Sequence, residues 1–165
     1  MNEMTRVSLS LPDRVEIEAL LTEFSWLIDN GQADRIAALF TEDGQVRGLG
    51  TDLIGRQAID AHFVRRAQER GKTTRHLWTN FRLVEVQVDR VVSTVNVITY
   101  IRHGDPGSPC GVMVGDSRDV FRKSQNDEWR FSERALNVVF PPSMSGSAPE
   151  APNRQRTANN LVRDV

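Results

Sequence analysis

The stretch RHLWTNFRLVEVQV (residues 75–88) marks the point where the chain changes from a helical to an extended pattern. Three more β-rich runs follow it: RVVSTVNVITYIR (90–102), VMVGDSRDVFRKS (112–124) and WRFSERALNVVF (129–140). Short segments rich in Gly, Pro, Asn and Asp separate the runs, as is typical of strands joined by turns. Four long strands in succession predict an antiparallel meander.

Three helices are predicted before the first of these four long strands. SLPDRVEIEALLTEFSWLIDNG (10–31) has apolar residues at three- and four-residue steps, with Pro12 suited to the first turn and Gly31 to a left-handed stop. The remaining predictions are a shorter helix at 33–40, a turn at TEDG (41–44), short strands or an irregular hairpin at 45–55, and a third helix at 56–70. Helices followed by strands predict an α+β domain whose helices cover one face of a strongly curved antiparallel sheet.

Composition narrows the possible classes of protein. The 165 residues are 39% hydrophobic and 26% charged, as expected for one soluble globular domain. The net charge of -1 and the dispersed basic residues argue against a nucleic-acid partner, which needs a concentrated basic face. The single cysteine, Cys110, excludes a disulfide framework within the chain and indicates a cytoplasmic location. We also expect no signal peptide and no membrane span, because no long apolar run is present.

The predicted domain occupies residues 10–140. Residues 1–9 form an N-terminal extension. Residues 141–165 are rich in Pro, Ser, Ala and Asn and poor in apolar residues, so we expect a flexible tail that is dispensable for folding.

His76 is the first candidate for a functional residue. Side chains alternate along a strand, so one face is expected to carry His76, Trp78 and Asn80. The other face is expected to carry Leu77, Thr79, Phe81 and Leu83. An apolar wall with a few polar groups is typical of a ligand cavity. The alternative is that His76 and Asn80 form structural hydrogen bonds on a half-exposed sheet.

Asp29 is the second candidate. It lies in the last turn of the first helix, where the helix dipole disfavours a negative charge, so it needs a compensating partner. A carboxylate paired with an imidazole orients the ring and makes it a better general base. The alternative is that Asp29 only accepts hydrogen bonds from the start of the second helix.

Other polar residues are less informative. Asp116 and Arg118 share a face of one strand, and Arg130 and Arg134 on the next strand are expected to form ion pairs with its acidic residues. The spacing of histidines and carboxylates matches no metal-binding motif, so we expect no metal or organic cofactor.

Four segments together resemble the SnoaL-like group of the nuclear transport factor 2-like superfamily. They are FSWLIDNGQADRIAALFTEDGQVRG (24–48), GRQAIDAHF (55–63), TRHLWTN (74–80) and GDSRDVFRKSQNDEWRFSER (115–134). The resemblance spans residues 10–140. It implies a cone-shaped α+β barrel in which three helices pack into the curved sheet and enclose a pocket. It also implies that Asp29 and His76 meet, since they match an aspartate–histidine pair in the relative scytalone dehydratase.

The resemblance implies a proton-transfer enzyme without a cofactor: a dehydratase, isomerase or cyclase acting on a small apolar polycyclic or aromatic substrate. His76 would be the general acid/base and Asp29 its orienter. Phe24, Trp78 and Asn80 would line the pocket, and Asp116 and Arg118 would supply a second polar point. The alternative is a non-catalytic ligand-binding module, or a structural subunit similar to the small subunits of ring-hydroxylating dioxygenases.

Two departures separate this chain from scytalone dehydratase. That relative holds a catalytic water with tyrosines, whereas Ile28 and Gly48 stand at the corresponding positions here. Scytalone is therefore not the expected substrate. We also expect a homodimer or higher homo-oligomer formed through the outer face of the sheet, since four long strands leave more apolar surface than three helices cover.

Overall fold

The first helix begins and ends as its sequence predicts. In the computed structural model, which describes residues 8–142, helix α1 spans Leu11–Asp29. The Ser10 side chain caps it by accepting a hydrogen bond from the Asp13 backbone N–H, and Gly31 follows it with φ +73°. The extension at 1–7 and the tail at 143–165 lie outside the described residues.

The remaining elements follow the predicted order. They are a 3₁₀ helix at Ala33–Leu39, β1 at Phe40–Arg47, β2 at Leu53–Ile54, α2 at Arg56–Gln68, β3 at Lys72–Val86, β4 at Arg90–His103, β5 at Cys110–Lys123 and β6 at Trp129–Phe140. None of the described helices is long and apolar enough to cross a membrane.

The six strands form one sheet in the order β2-β1-β6-β5-β4-β3. Strands β3 to β6 form the predicted antiparallel meander. Strand β1 pairs with β6 in parallel, so the sheet is mixed, and β2 and β3 remain as its two edges. The α+β class is therefore confirmed, with a curved sheet that is open rather than a closed barrel.

The prediction of a turn at TEDG (41–44) is wrong, because this segment lies within β1. The pairing of β1 with β6 shifts register between Phe40 and Gln45, so the turn-forming residues are accommodated as an irregularity in the strand. Gly44 allows this close fold, since a Cβ there would lie 2.9 Å from the Phe40 Cβ.

The core lies between the helices and the concave face of the sheet. Phe24 of α1 makes edge-to-face contacts with Phe40 and Phe131, whose rings stack on each other with centroids 5.2 Å apart. At the end of β1 the chain runs against β6: Gly48 has φ +85°, and a Cβ there would lie 1.9 Å from the Leu136 carbonyl oxygen. Phe24 and Leu136, one from each of these contacts, also line a cavity between the helices and the sheet.

Candidate active site

Asp29 and His76 lie in direct contact, although they are 47 residues apart in the chain. Asp29 ends α1, and His76 lies on the neighbouring edge strand β3. The His76 Nδ1 atom is 2.7 Å from Asp29 Oδ1, and the His76 backbone N–H donates to Asp29 Oδ2 at 2.7 Å. The bond to Nδ1 leaves Nε2 as the ring nitrogen that Asp29 does not engage.

Further donors stabilise the carboxylate at this helix end. The Thr74 hydroxyl donates to Asp29 Oδ1 at 2.8 Å, and Arg66 donates to the Thr74 hydroxyl at 3.3 Å. Arg75 donates to the Asp29 carbonyl at 3.0 Å and so provides a partner for one of the free carbonyls at the helix C-terminus. Burial alone would raise the pKa of Asp29, but the hydrogen bonds and charge of His76, with the Thr74 hydroxyl, together lower the pKa below its usual value. Asp29 is therefore an ionised partner for the imidazole.

Beside His76 lies a cavity of about 220 Å³. Its wall is largely apolar, formed by Phe24, Ile28, Val46, Leu49, Phe63, Val97, Ile101, Met113 and Leu136. The polar part of the wall consists of Arg47, His62, Arg66, Lys72, Thr74, His76, Thr99 and Arg134. A mostly apolar cavity with a few polar groups is the usual form of a small-molecule site.

His62 lies in this wall on α2. Burial, together with the charges of Arg65 and Lys72, lowers the pKa of His62 from its usual value. The His62 ring is therefore neutral at pH 7 and can accept or donate a hydrogen bond without a change of charge.

Arg134 enters the cavity from β6. Its Nε lies 3.6 Å from Asp119 Oδ1, and its guanidinium stacks over the Phe24 ring at 4.2 Å. Asp119 is fully buried, and burial raises the pKa of its carboxyl against the opposing effects of Arg134 and the Ser117 hydroxyl. This is one of the ion pairs that the strand sequences predict.

Asn80 and Trp78 were expected in the pocket, but neither side chain lines it. The backbone of Asn80 has φ +56°, and the β3–β4 register shifts between Thr79 and Arg82. The Asn80 side chain is exposed and donates to Asn96 instead. Trp78 does point inwards, but it packs on the core and lines an outer groove between α1 and β3.

Asp116 and Arg118 were also expected in the pocket, and this is wrong. They alternate along β5 with Ser117 and Asp119, both fully buried, so their side chains lie on the outer face of the sheet. Asp116 accepts a hydrogen bond from Asn96 there. Phe24, by contrast, lines the cavity as expected.

Thr99 and Arg134 were not identified as cavity residues from the sequence. Thr99 lies opposite His76 in the β3–β4 register, and such pairings depend on strand alignment rather than on local sequence. The sequence signal that was present is the alternation of β4, in which Val95, Val97 and Thr99 occupy one face. Among residues 8–142, no cluster of three or more His, Cys, Asp or Glu is arranged to hold a metal ion.

Helices packed on an open curved sheet, around a largely apolar cavity with a few polar groups, are typical of the nuclear transport factor 2-like class of fold. The model of the SnoaL-like domain family matches residues 9–135, and the chain belongs to this family. The resemblance found in the sequence is confirmed. No curated protein matches the sequence significantly.

Solved structures share this fold. An NTF2-like protein with a cystatin-like fold from Novosphingobium aromaticivorans is 25% identical, with a TM-score of 0.67 over 84% of this chain and 86% of its own. A scytalone dehydratase-like protein from the same organism is 23% identical, with a TM-score of 0.68 over 79% and 86% of the two chains. A type 2 hexachlorocyclohexane dehydrochlorinase (LinA) is 20% identical, with a TM-score of 0.68 over 87% and 96%.

Proposed function

We propose that this protein is a cofactor-independent proton-transfer enzyme, a dehydratase, isomerase or cyclase, acting on a small, mostly apolar aromatic substrate. The observation that carries the proposal is the Asp29–His76 pair beside a cavity of about 220 Å³. Asp29 holds Nδ1, so the opposite nitrogen, Nε2, is available to a substrate. The names of the scytalone dehydratase-like protein and the dehydrochlorinase support this class of chemistry.

In the proposed reaction His76 Nε2 removes a proton from a substrate carbon and becomes protonated at that nitrogen. The electron pair of the broken C–H bond either forms a C=C bond and expels a leaving group from the neighbouring carbon, or is delocalised onto an oxygen. A leaving hydroxyl takes the proton from His76 Nε2 and departs as water, which returns the imidazole to its neutral form. In an isomerase the same proton then returns to a different carbon. Asp29 stabilises the imidazolium throughout, in the manner of other carboxylate-oriented histidines.

The size of the cavity limits the substrate. Small-molecule pockets commonly measure about 300–1,000 Å³, so a cavity of about 220 Å³ favours a molecule of one or two rings. A purely structural subunit does not need an open cavity beside an Asp29–His76 pair, and for this reason we favour the enzyme over the small-subunit alternative.

Deuterium exchange tests this function without a known natural substrate. 2-Tetralone, a two-ring ketone with acidic protons next to its carbonyl, is incubated with the protein in D₂O, and loss of these proton signals is followed by NMR. We expect the wild type to accelerate exchange and His76→Gln to abolish the acceleration. Acceleration that persists in His76→Gln would exclude His76 as the base.

We also propose that the protein forms a homodimer through the outer face of the sheet. Leu77, Ile98, Val114 and Phe140 are consecutive register partners across β3, β4, β5 and β6, and they form an apolar row with Leu77 49% and Phe140 64% exposed. Burial of such a row against a second copy would remove it from water. A monomeric mass in sedimentation at micromolar concentration would reject this assembly.

A further inference from the structure

The charged residues of the cavity wall all carry the same sign. Arg47, Arg66, Lys72 and Arg134 contribute to the wall, and no aspartate or glutamate side chain of residues 8–142 does. Glu69 and Asp52 pair with Arg66, Lys72 and Arg47, but these carboxylates stand outside the wall. Asp119 likewise pairs with Arg134 without lining the cavity. The cations are therefore the charged side chains that a ligand in the cavity contacts directly, and they favour a negatively charged group.

Arg134 is the most buried of these cations, with 7% of its surface exposed. Asp119 pairs with its Nε, and Phe24 and Phe131 lie against its guanidinium, so its orientation is fixed. Its Nη1 is buried and has no hydrogen-bond partner within residues 8–142. A buried guanidinium nitrogen without an acceptor is costly, and a ligand oxygen in the cavity would satisfy it.

A second unpaired group lies on the same wall. The Thr99 hydroxyl is buried, with the residue 2% exposed, and Oγ1 has no partner in the described part of the chain. Thr99 faces His76 across the β3–β4 pairing, so a molecule that reaches His76 also reaches this hydroxyl. Within residues 8–142, the cavity thus presents one donor without a partner beside the proposed base and another on β6.

We infer that the cavity binds a substrate with a negatively charged oxygen, a carboxylate or the enolate formed by proton removal, which accepts a hydrogen bond from Arg134, while Thr99 binds a second polar function next to His76. This inference rests on the proposed function and names its substrate class. A guanidinium held in place before the reaction is suited to stabilising charge that develops on an oxygen. Asp119 acts as a positioning residue for Arg134.

Binding of 4-nitrophenol tests the inference without any turnover. This single-ring phenol becomes an enolate-like anion whose visible absorbance reports ionisation in the bound state. We expect the wild type to bind the phenolate at least about 10-fold more tightly than the phenol, because charge-assisted hydrogen bonds are the stronger ones. Arg134→Met should remove this preference, and Thr99→Val should weaken binding by about 3- to 10-fold.

The matched control is Ser93→Ala. Ser93 is also a buried strand residue of β4, and its hydroxyl has no partner among the residues that the structure describes. It does not line the cavity, so its loss should leave binding unchanged. Because Arg134→Met leaves Asp119 without its partner, the double variant Arg134→Met/Asp119→Asn provides a second protein that lacks the cation. Arg134→Lys tests whether charge without the guanidinium suffices.

The outcomes separate the two proposals. Failure of the wild type to bind the phenolate, equal affinity for phenol and phenolate, or unchanged preference in both proteins that carry Arg134→Met would overturn the inference. His76→Gln should retain the dependence on Arg134 even though it stops deuterium exchange. Displacement of bound 4-nitrophenolate by 4-nitrobenzoate would indicate a carboxylate substrate. If 4-nitrobenzoate does not displace the phenolate, the negatively charged oxygen is that of an enolate.

Discussion

Two carboxylates, Asp29 and Asp119, each pair with a residue of the cavity wall, and the two pairs are built differently. Asp29 accepts three hydrogen bonds at 2.8 Å or less, from Thr74 and from the backbone and ring of His76. Asp119 accepts one, from the Ser117 hydroxyl at 2.8 Å, and lies 3.6 Å from Arg134. Its Oδ2 and the Arg134 Nη1 are both without partners in the described residues.

The comparison shows how surroundings shift the pKa values of two carboxyl groups near one cavity in opposite directions. Hydrogen bonds and a neighbouring charge lower the pKa of Asp29, whereas complete burial raises the pKa of Asp119. The Asp29 pair is complete without a ligand and can orient a base. In the Asp119 pair, Arg134 Nη1 has no partner within residues 8–142, so it is free to bind the ligand oxygen that we infer.

The largest effect is expected from the loss of the Asp29 pair. Asp29→Asn and His76→Gln should each slow deuterium exchange into 2-tetralone by about 10²–10⁴-fold, the usual contribution of general acid–base catalysis. The exchange rate of the double variant should be little lower than that of the less active single variant, because the effects of residues that act as one unit are not additive. Asp34→Asn, an exposed carboxylate just after α1, is the control. A loss of only a few fold would show that the pair is structural.

Removal of the cation from the second pair should affect stability. Arg134→Met leaves the Asp119 carboxylate buried without its partner, which typically costs about 3–5 kcal/mol of unfolding free energy. Arg134→Met/Asp119→Asn should recover most of this loss because no buried carboxylate remains. Urea denaturation measures both, and equal losses in the single and double variants would show that Asp119 is not ionised in the folded protein.

The pH dependence of stability should have opposite signs for the two carboxylates. The folded pKa of Asp29 lies below the unfolded value of about 3.9, so its contribution is present above about pH 4 and lost as pH falls through the folded pKa. The folded pKa of Asp119 is raised, so the wild type loses stability as pH rises above about 4 through that value.

Asp29→Asn and Asp119→Asn make this difference measurable. As pH falls from about 6 to about 3, the stability advantage of the wild type over Asp29→Asn should shrink, and its advantage over Asp119→Asn should grow. Denaturant unfolding at several pH values gives both curves. Curves of the same sign would contradict the assignment of opposite pKa shifts.

The smallest effect concerns the support of Asp29. Thr74→Val removes one of its three donors and should cost about 1 kcal/mol, the net value of a typical hydrogen bond. Thr79→Val, at an exposed position of the same strand, should change the melting temperature little. If the two variants melt together, the Thr74 hydroxyl does not stabilise the carboxylate.

The sequence predicts most of the fold because helical and extended patterns have different periods. The apolar steps of α1 and the four alternating runs β3 to β6 are strong signals over long segments. The segment TEDG shows the limit: its turn-forming residues occupy an irregularity in β1 that arises only through pairing with the distant strand β6. Local preference there yields to tertiary context.

The candidate site is predicted less completely. His76 and Asp29 could be proposed because one interrupts an apolar strand and the other lies at an unfavourable helix end. Alternation fails after Trp78, because the positive φ of Asn80 shifts the following residues to the other face. Thr99 and Arg134 depend on strand register and on burial, which single-strand patterns do not contain.

Gly48 also limits how this chain could be redesigned. By the resemblance, Gly48 stands where scytalone dehydratase has a water-holding tyrosine, so a tyrosine is the first substitution that a redesign would try. Yet even a methyl group would overlap the Leu136 carbonyl, at 1.9 Å, and the positive φ is unfavourable for any other residue. The obstacle is main chain against main chain, so no exchange of neighbouring side chains removes it. The step to that chemistry would require strand β6 to be moved first.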